Sequence, residues 1–173
     1  MAAVGVGYFG GLYVFSNADI GRTSAPFRPL QLFLQSGTVD SARLAKGWSR
    51  PEPWGTWTTG EQAHLSLTTQ GTPRRDLELT LTGQVFLAPP RHESQEIGVD
   101  VNGSRVATWQ ITRKNQNGPF TARIPAHVIK SQWPVELVLL IKRPRAPVKL
   151  GVNADARELG IGVHSVVLRE TGS

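Results

Sequence analysis

The chain has 173 residues, of which 39% are hydrophobic and 18% charged, so it suits one domain with a real core and is too apolar for general disorder. It contains 18 glycines, 12 prolines and no cysteine, which favours many turns and excludes disulfides, Cys-ligated zinc and thiol catalysis. The net charge of +6 is compatible with a polyanionic partner.

The chain begins with an apolar run. Residues 4–15 read VGVGYFGGLYVF and carry no charge, but a bilayer span needs about 20 residues. No cationic segment precedes the run and no cleavage pattern comes after it, as a signal peptide requires. We therefore predict an apolar strand at 8–15, with the tail of a truncated membrane segment as the alternative. The G-x-G-x-x-G match at 5–10 is attributed to chance, because no strand can precede it.

Residues 16–46 show little regular pattern apart from a weak strand candidate at 30–35. We therefore treat 1–40 as an apolar strand with an irregular segment after it. Residues 41–173 are predicted to form a β-sandwich domain, and both parts together are expected to make one domain overall.

Short blocks of alternating apolar and polar residues recur along the rest of the chain, as half-buried strands require. Strands are predicted at 63–67, 77–81, 97–101, 106–111, 120–124, 135–142 and 161–170. Asn102-Gly103 predicts a type I′ hairpin turn, because both positions tolerate a positive φ. Pro125 opens a segment that can form one short helical turn over 125–130. The pattern predicts an all-β fold, a β-sandwich of jelly-roll type with at most one short helix.

Three of the five tryptophans, Trp48, Trp54 and Trp57, lie close together in a segment rich in Pro and Gly. Aromatic rings stack on the apolar faces of sugars, and neighbouring polar side chains bind the hydroxyl groups. The candidate ligand-binding residues are therefore these three tryptophans with Arg50 and Glu52. The alternative is that the rings close one end of the sandwich. In a strand, Trp54 and Trp57 would point to opposite faces, one buried and one exposed.

No catalytic or metal-binding motif is present in the sequence. A G-x-S-x-G elbow, an H-E-x-x-H motif and a calcium loop of the EF-hand kind are all missing. The four histidines are too widely spaced for a local metal site, so no metal or cofactor is predicted. Among the carboxylates only Glu52, between two prolines, has a distinctive setting, and a structural salt bridge is favoured over catalysis. We predict no catalytic residue.

Two charged segments lie near the end of the chain. Lys142-Arg143-Pro144-Arg145, with Lys149, is either a solvated loop or a contact for phosphate, an acidic glycan or lipid head groups. Nucleic-acid binding is not predicted, because basic and aromatic residues do not interleave along any strand. Residues 155–160 mix opposite charges. We expect Arg157 to pair with Asp155 or Glu52 and hold this loop beside the tryptophan segment.

The tryptophan segment also carries a family resemblance. The motif elements are Gly47-Trp48-Ser49-x-Pro51-Glu52-x-Trp54-Gly55-x-Trp57-Thr58-x-Gly60, Val99-x-Val101-Asn102-Gly103, a passage of Pro, short helix and strand over Pro125–Ile141, and Asp155-x-Arg157-x-Leu159-Gly160-Ile161. In this order, over residues 40–170, they resemble an uncharacterised jelly-roll-like β-sandwich domain of bacterial envelope proteins. That domain is often appended to polytopic membrane glycosyltransferases.

The resemblance implies an extracytoplasmic, non-catalytic accessory domain in surface-glycan assembly. The expected ligand is a glycan or a lipid-linked glycan, bound or positioned by the tryptophan segment. One alternative is a structural module that docks on a membrane glycosyltransferase. A carbohydrate-active enzyme on a jelly-roll scaffold is a third possibility, but the resemblance brings no catalytic residues with it.

Overall fold

Two antiparallel β-sheets pack against each other in the computed structural model, which describes residues 25–129 and 133–172. The strands are β1 (Leu30–Phe33), β2 (Leu44–Lys46), β3 (Thr56–Thr59), β4 (Gln62–Leu67), β5 (Leu77–Val85), β6 (Ser94–Val101), β7 (Ser104–Thr112), β8 (Phe120–Ile124), β9 (Val135–Lys142) and β10 (Leu159–Glu170). One short helix, α1 (Ala126–Ile129), and 3₁₀ turns at Ser41–Arg43 and Pro147–Leu150 complete the regular structure. The strand predicted at 8–15 and the glycine-rich match at 5–10 lie outside the described residues.

The strand order is that of a jelly roll. The first sheet runs β1-β10-β5-β8, and the second runs β2-β4-β9-β6-β7. Strand β1 pairs with residues 165–168 of β10 and β3 pairs with residues 159–163, so together they form one interrupted edge next to β10. With β2 left aside as an extra edge strand, this gives four strands in each sheet and two interlocked Greek keys. The predicted all-β sandwich is confirmed.

The core lies between the sheets and shows the predicted alternation. In β9 the residues that face inward are at most 2% exposed, whereas those between them reach solvent. Strands β4 and β5 repeat this pattern. The inward residues of the three strands are Ala63, Leu65, Leu67, Leu77, Leu79, Leu81, Val135, Leu137, Leu139 and Ile141. Burying each of the larger side chains stabilises the fold by about 1.5–3 kcal/mol.

The Asn102-Gly103 turn joins β6 and β7 as predicted, with φ of 48° and 77°. The Asn102 side chain also ties three elements together. Its Nδ2 donates to the carbonyl of Val128 at 3.0 Å, and its Oδ1 accepts from the backbone N–H of Glu136 at 3.0 Å. The short helical turn expected after Pro125 is present as α1. None of the helices in the described part of the chain is long and apolar enough to cross a membrane.

The sequence pattern missed β2 and β3. Strand β2 has three residues, too few to show a period of two. In β3 the inward residues are Thr56 and Thr58, which are polar yet 0% exposed, so no apolar alternation marks the strand. The weak candidate at 30–35 is confirmed as β1, and Leu34 just after it is fully buried in the core.

Candidate functional site

A tight turn at residues 52–55 places Trp54 on the outside of the first sheet. The backbone N–H of Glu52 donates to the carbonyl of Gly55 at 2.8 Å, and the N–H of Gly55 donates back at 3.2 Å. A Cβ at Gly55 would lie 2.4 Å from the carbonyl oxygen of Val163, so only glycine allows the turn to approach β10 this closely. The turn therefore rests directly on the sheet.

Trp54 is held at several points. Its indole Nε1 donates to Oε2 of Glu52 at 2.9 Å, and its carbonyl accepts from Nδ1 of His164 at 2.7 Å. The ring covers Gly162, where a Cβ would lie 2.4 Å from its Cη2. Trp57 packs against it edge to face, with ring centroids 5.4 Å apart. The orientation of Trp54 is thus fixed by the fold before any ligand arrives.

The expected opposite orientation of Trp54 and Trp57 is wrong. Trp54 lies in the turn, two residues before β3 begins at Thr56, so the alternation of a strand does not apply to it. The turn folds its ring back onto Trp57, and both rings are half-buried on the same side of β10. The indole N–H of Trp57 has no hydrogen-bond partner among the described residues.

An ion-pair network supports the turn from behind. Nη1 of Arg157 donates to Oε1 of Glu52 at 2.8 Å, and Nη2 donates to Oδ2 of Asp155 at 2.7 Å. Both pairs expected from the sequence are therefore confirmed. The hydrogen bonds from Arg157 lower the pKa of Glu52 and that of Asp155, and the two carboxylates raise the pKa of Arg157. Glu52 is held ionised, with each of its oxygens already engaged.

The other two predicted site residues lie apart from this cluster. Trp48 packs against the core, and its Nε1 donates to the carbonyl of His64 in β4 at 2.8 Å. It thus fastens the segment to the second sheet. Arg50 is exposed and makes no side-chain hydrogen bond or ion pair with the described residues. The structure brings Glu52, Trp54 and Trp57 together but not Arg50 or Trp48.

A shallow, open groove of about 390 Å³ lies beside Trp54. Its walls are Trp54, Gly83, Gln84, Asn117 and His164, and we call it the Trp54 groove. The side chains of Gln84 and Asn117 are exposed and form no hydrogen bond within the described residues. They leave amide donors and acceptors free beside an aromatic ring.

The loop that carries Asn117 is fastened to the sheet. Nε2 of Gln116 donates to the carbonyl of Val85 at 2.9 Å, and the N–H of Val85 donates to the carbonyl of Gln116 at 3.0 Å. Asn117 is therefore held beside Gln84, which precedes Val85 in β5. Sequence reasoning missed Gln84, Asn117 and His164, because no local motif marks them and only strand pairing assembles them.

The arrangement is suited to binding a polar ligand with apolar faces. An aromatic ring, an imidazole and two free amides line the Trp54 groove, and no carboxylate does. Among residues 25–129 and 133–172, no group of three or more His, Asp or Glu side chains converges as a metal site. Glycosidase chemistry commonly uses a pair of carboxylates flanking the bond that is cleaved.

Comparison with known proteins gives structural likeness only. No family model and no curated protein matches the sequence. The fold is similar to the CBM36-1 domain of a multidomain xylanase from the hindgut metagenome of Trinervitermes trinervoides, at 12% identity and a TM-score of 0.43, covering 84% of this chain and 100% of that one. It is also similar to a CBM36 carbohydrate-binding module in complex with calcium and xylotriose, at 12% identity and a TM-score of 0.41, covering 82% and 99%.

A third similar structure is the acetyl xylan esterase Est2A from Butyrivibrio proteoclasticus, at 9% identity and a TM-score of 0.45. The match covers 86% of this chain and about a third, 35%, of the esterase. Likenesses of this size, with TM-scores below 0.5, identify neither a ligand nor an activity for this chain.

Proposed function

We propose that this protein is a non-catalytic carbohydrate-binding domain whose ligand lies in the Trp54 groove. The observation that carries the proposal is the fixed Trp54 ring beside two amide side chains, Gln84 and Asn117, that have no partner in the described residues. A sugar ring presents apolar C–H faces to an aromatic side chain and hydroxyl groups to amides. Because the Trp54 ring is already anchored, it loses little side-chain entropy when a ligand stacks on it.

The charges around the groove favour binding over hydrolysis. Glu52 is the carboxylate nearest in sequence to Trp54, and it bonds Trp54 and Arg157 through its two oxygens. Its pKa is lowered chiefly by the hydrogen bond from Arg157, whereas a general acid needs a raised pKa. Glu52 therefore acts as a positioning residue for the ring.

The sequence motif around Trp48, Trp54 and Trp57 supports an extracytoplasmic domain that binds or positions a surface glycan or a lipid-linked glycan during its assembly. The interaction-module alternative predicts buried tryptophans, an exposed apolar patch and no cleft nearby. The half-buried rings of Trp54 and Trp57 and the adjoining groove favour the glycan-binding role.

A glycan-binding screen on the purified protein tests the proposal. The immobilised protein is offered neutral and acidic oligosaccharides, and any that are retained are titrated by calorimetry against Q84A, N117A and the double variant. Both side chains are exposed, so the variants are expected to fold. We expect the double variant to bind about 5- to 150-fold more weakly, since each lost hydrogen bond costs about 0.5–1.5 kcal/mol and about 1.4 kcal/mol is a factor of ten.

The matched control is Q62A, which removes an exposed amide from β4 in the other sheet. It is expected to bind like the wild type. Retention of no oligosaccharide, or equal affinity in the double variant and the wild type, would contradict the proposal.

A further inference from the structure

A second cavity, of about 240 Å³, lies where the turn between β5 and β6 meets the end of β9. Arg91 and His92 line it from the turn, and Arg143 and Arg145 line it from the segment after β9. We call it the arginine cavity. It shares no residue with the Trp54 groove. The sequence identified the basic cluster at 142–145 but not the second loop that faces it.

The carboxylates of this cavity do not neutralise its cations. Glu93 and Glu96 line it together with the three arginines and Lys142. Glu96 is already committed, because Nζ of Lys142 lies 3.3 Å from each of its oxygens and Nε2 of Gln110 donates to it at 2.8 Å. With the pair of Lys142 and Glu96 set aside, three arginines share the cavity with one carboxylate, that of Glu93.

The guanidinium groups remain available. Nη1 of Arg91 donates to the carbonyl of Leu150 at 3.2 Å, which leaves its other N–H groups free. The side chains of Arg143 and Arg145 are exposed and form no ion pair or hydrogen bond with the described residues. Donors from two separate segments therefore converge on one cavity.

The backbone that carries Arg143 and Arg145 is firmly placed. Arg145 exchanges two backbone hydrogen bonds with Leu159, at 3.2 and 2.9 Å. Arg143 has φ of 58°, a left-handed conformation that non-glycine residues seldom adopt. Such conformations cluster at ligand sites, where the surrounding structure maintains them.

The pKa of His92 depends on the charge of the arginine cavity. It is 8% exposed, its Nε2 has no hydrogen-bond partner, and its ring packs near Phe86 at a centroid distance of 6.1 Å. Burial lowers its pKa, and the positive charges of Arg145 and Arg143 lower it further. An anion held by these arginines would offset their charge and raise the pKa of His92.

From this geometry we propose that the arginine cavity binds a phosphoryl group, carried by a soluble molecule or by a lipid head group. Guanidinium forks match phosphate oxygens in paired hydrogen bonds. A tetrahedral anion accepts such bonds from several directions, as the two facing segments supply them, whereas a planar carboxylate offers only two oxygens. The site is independent of the proposed glycan groove.

NMR titration of the histidine ring signals tests the proposal. Inorganic phosphate is the soluble probe, and the pKa of His92 is measured with and without it in the wild type, the R143Q/R145Q variant and R169Q. Arg169 is exposed near the end of β10 and serves as the control for losing an arginine outside the cavity. We expect phosphate to raise the pKa of His92 by about one unit in the wild type and R169Q, and not in the double variant.

A vesicle arm separates the two sources of phosphate. Cosedimentation compares phosphatidylcholine vesicles with vesicles that also contain phosphatidic acid. Binding that requires phosphatidic acid and is lost in R143Q/R145Q but kept in R169Q supports a lipid source, and a response to free phosphate alone supports a soluble one. The proposal is overturned if free phosphate leaves the pKa of His92 unchanged and phosphatidic acid does not increase vesicle binding. It is also overturned if R169Q weakens binding as much as the double variant does.

Discussion

Arg157 and Glu52 form an ion pair 2.8 Å long between residues 105 positions apart in the sequence. The other oxygen of Glu52 accepts the indole N–H of Trp54, so the arginine sets the position of the ring through the carboxylate. The loop before β10 and the tryptophan turn are thereby one unit. This link connects the fold to the wall of the proposed glycan groove.

Replacing Arg157 should lower the free energy of unfolding by an amount that depends on pH. We expect R157Q to lower the free energy of unfolding at pH 7 by about 1 kcal/mol, because the pair is only partly buried and is screened by solvent. The lowered pKa values of Glu52 and Asp155 give stability that is present above their unfolded values and is lost as pH falls through the folded ones. Urea unfolding of both proteins from pH 7 to pH 2.5 measures this.

The difference between wild type and R157Q should therefore shrink below about pH 4, near the unfolded pKa values of Asp and Glu. K149Q is the control, because its pair with Glu158 is far more exposed, with side-chain exposures of 71% and 50%. A difference that is constant across the pH range would show that the two carboxylates are not stabilised by Arg157.

Gly162 should be required for the Trp54 ring to pack against β10. We expect G162A to destabilise the protein by about 1–3 kcal/mol, because the new methyl group would overlap the Trp54 ring and force it to move. Near-ultraviolet circular dichroism should change as the ring moves, and urea unfolding gives the loss of stability.

G98A is the comparison in another strand. A Cβ there would first meet the guanidinium end of Arg105, at 2.8 Å, and that flexible side chain can move aside. Its loss of stability should be clearly smaller. Equal losses in G162A and G98A would mean that Trp54 does not rest rigidly on β10.

Trp48 should contribute to stability and not to ligand binding. We expect W48F to lower the free energy of unfolding by about 1 kcal/mol or more, since the carbonyl of His64 loses its donor and core packing is reduced. Affinity for any retained oligosaccharide should stay within about a factor of two of the wild type, because Trp48 lines no part of the Trp54 groove. A large loss of affinity at unchanged stability would show that Trp48 belongs to the binding site.

The sequence pattern located most of the sandwich because strand residues that face one core must alternate. Strand β9, at Val135–Lys142, was predicted with its observed bounds, and Asn102-Gly103 correctly marked the hairpin between β6 and β7. Strand β3 was not predicted because its two inward residues are threonines, whose buried hydroxyl groups hide the apolar alternation. Oγ1 of Thr58 accepts the backbone N–H of Ile161 at 3.0 Å, a contact that no local pattern encodes.

The candidate site was predictable only in part. Glu52, Trp54 and their link to Arg157 could be inferred from the density of special residues and from opposite charges. Gln84 and Asn117 could not, because β5 and the loop before β8 meet only through the register of the sheet. The arginine cavity could not be predicted from the sequence for the same reason, because Arg91 and Arg143 line it from distant parts of the chain.

The most direct test of glycan binding in the Trp54 groove is a ¹H–¹⁵N NMR titration of the unmodified protein with each oligosaccharide retained in the screen. The indole signal of Trp54 and the side-chain amide signals of Gln84 and Asn117 should shift together along one saturation curve. The indole signals of Trp48, Trp109 and Trp133, whose N–H groups bond to backbone carbonyls elsewhere, should stay in place. Saturable binding that leaves Trp54, Gln84 and Asn117 unshifted would contradict glycan binding at this groove.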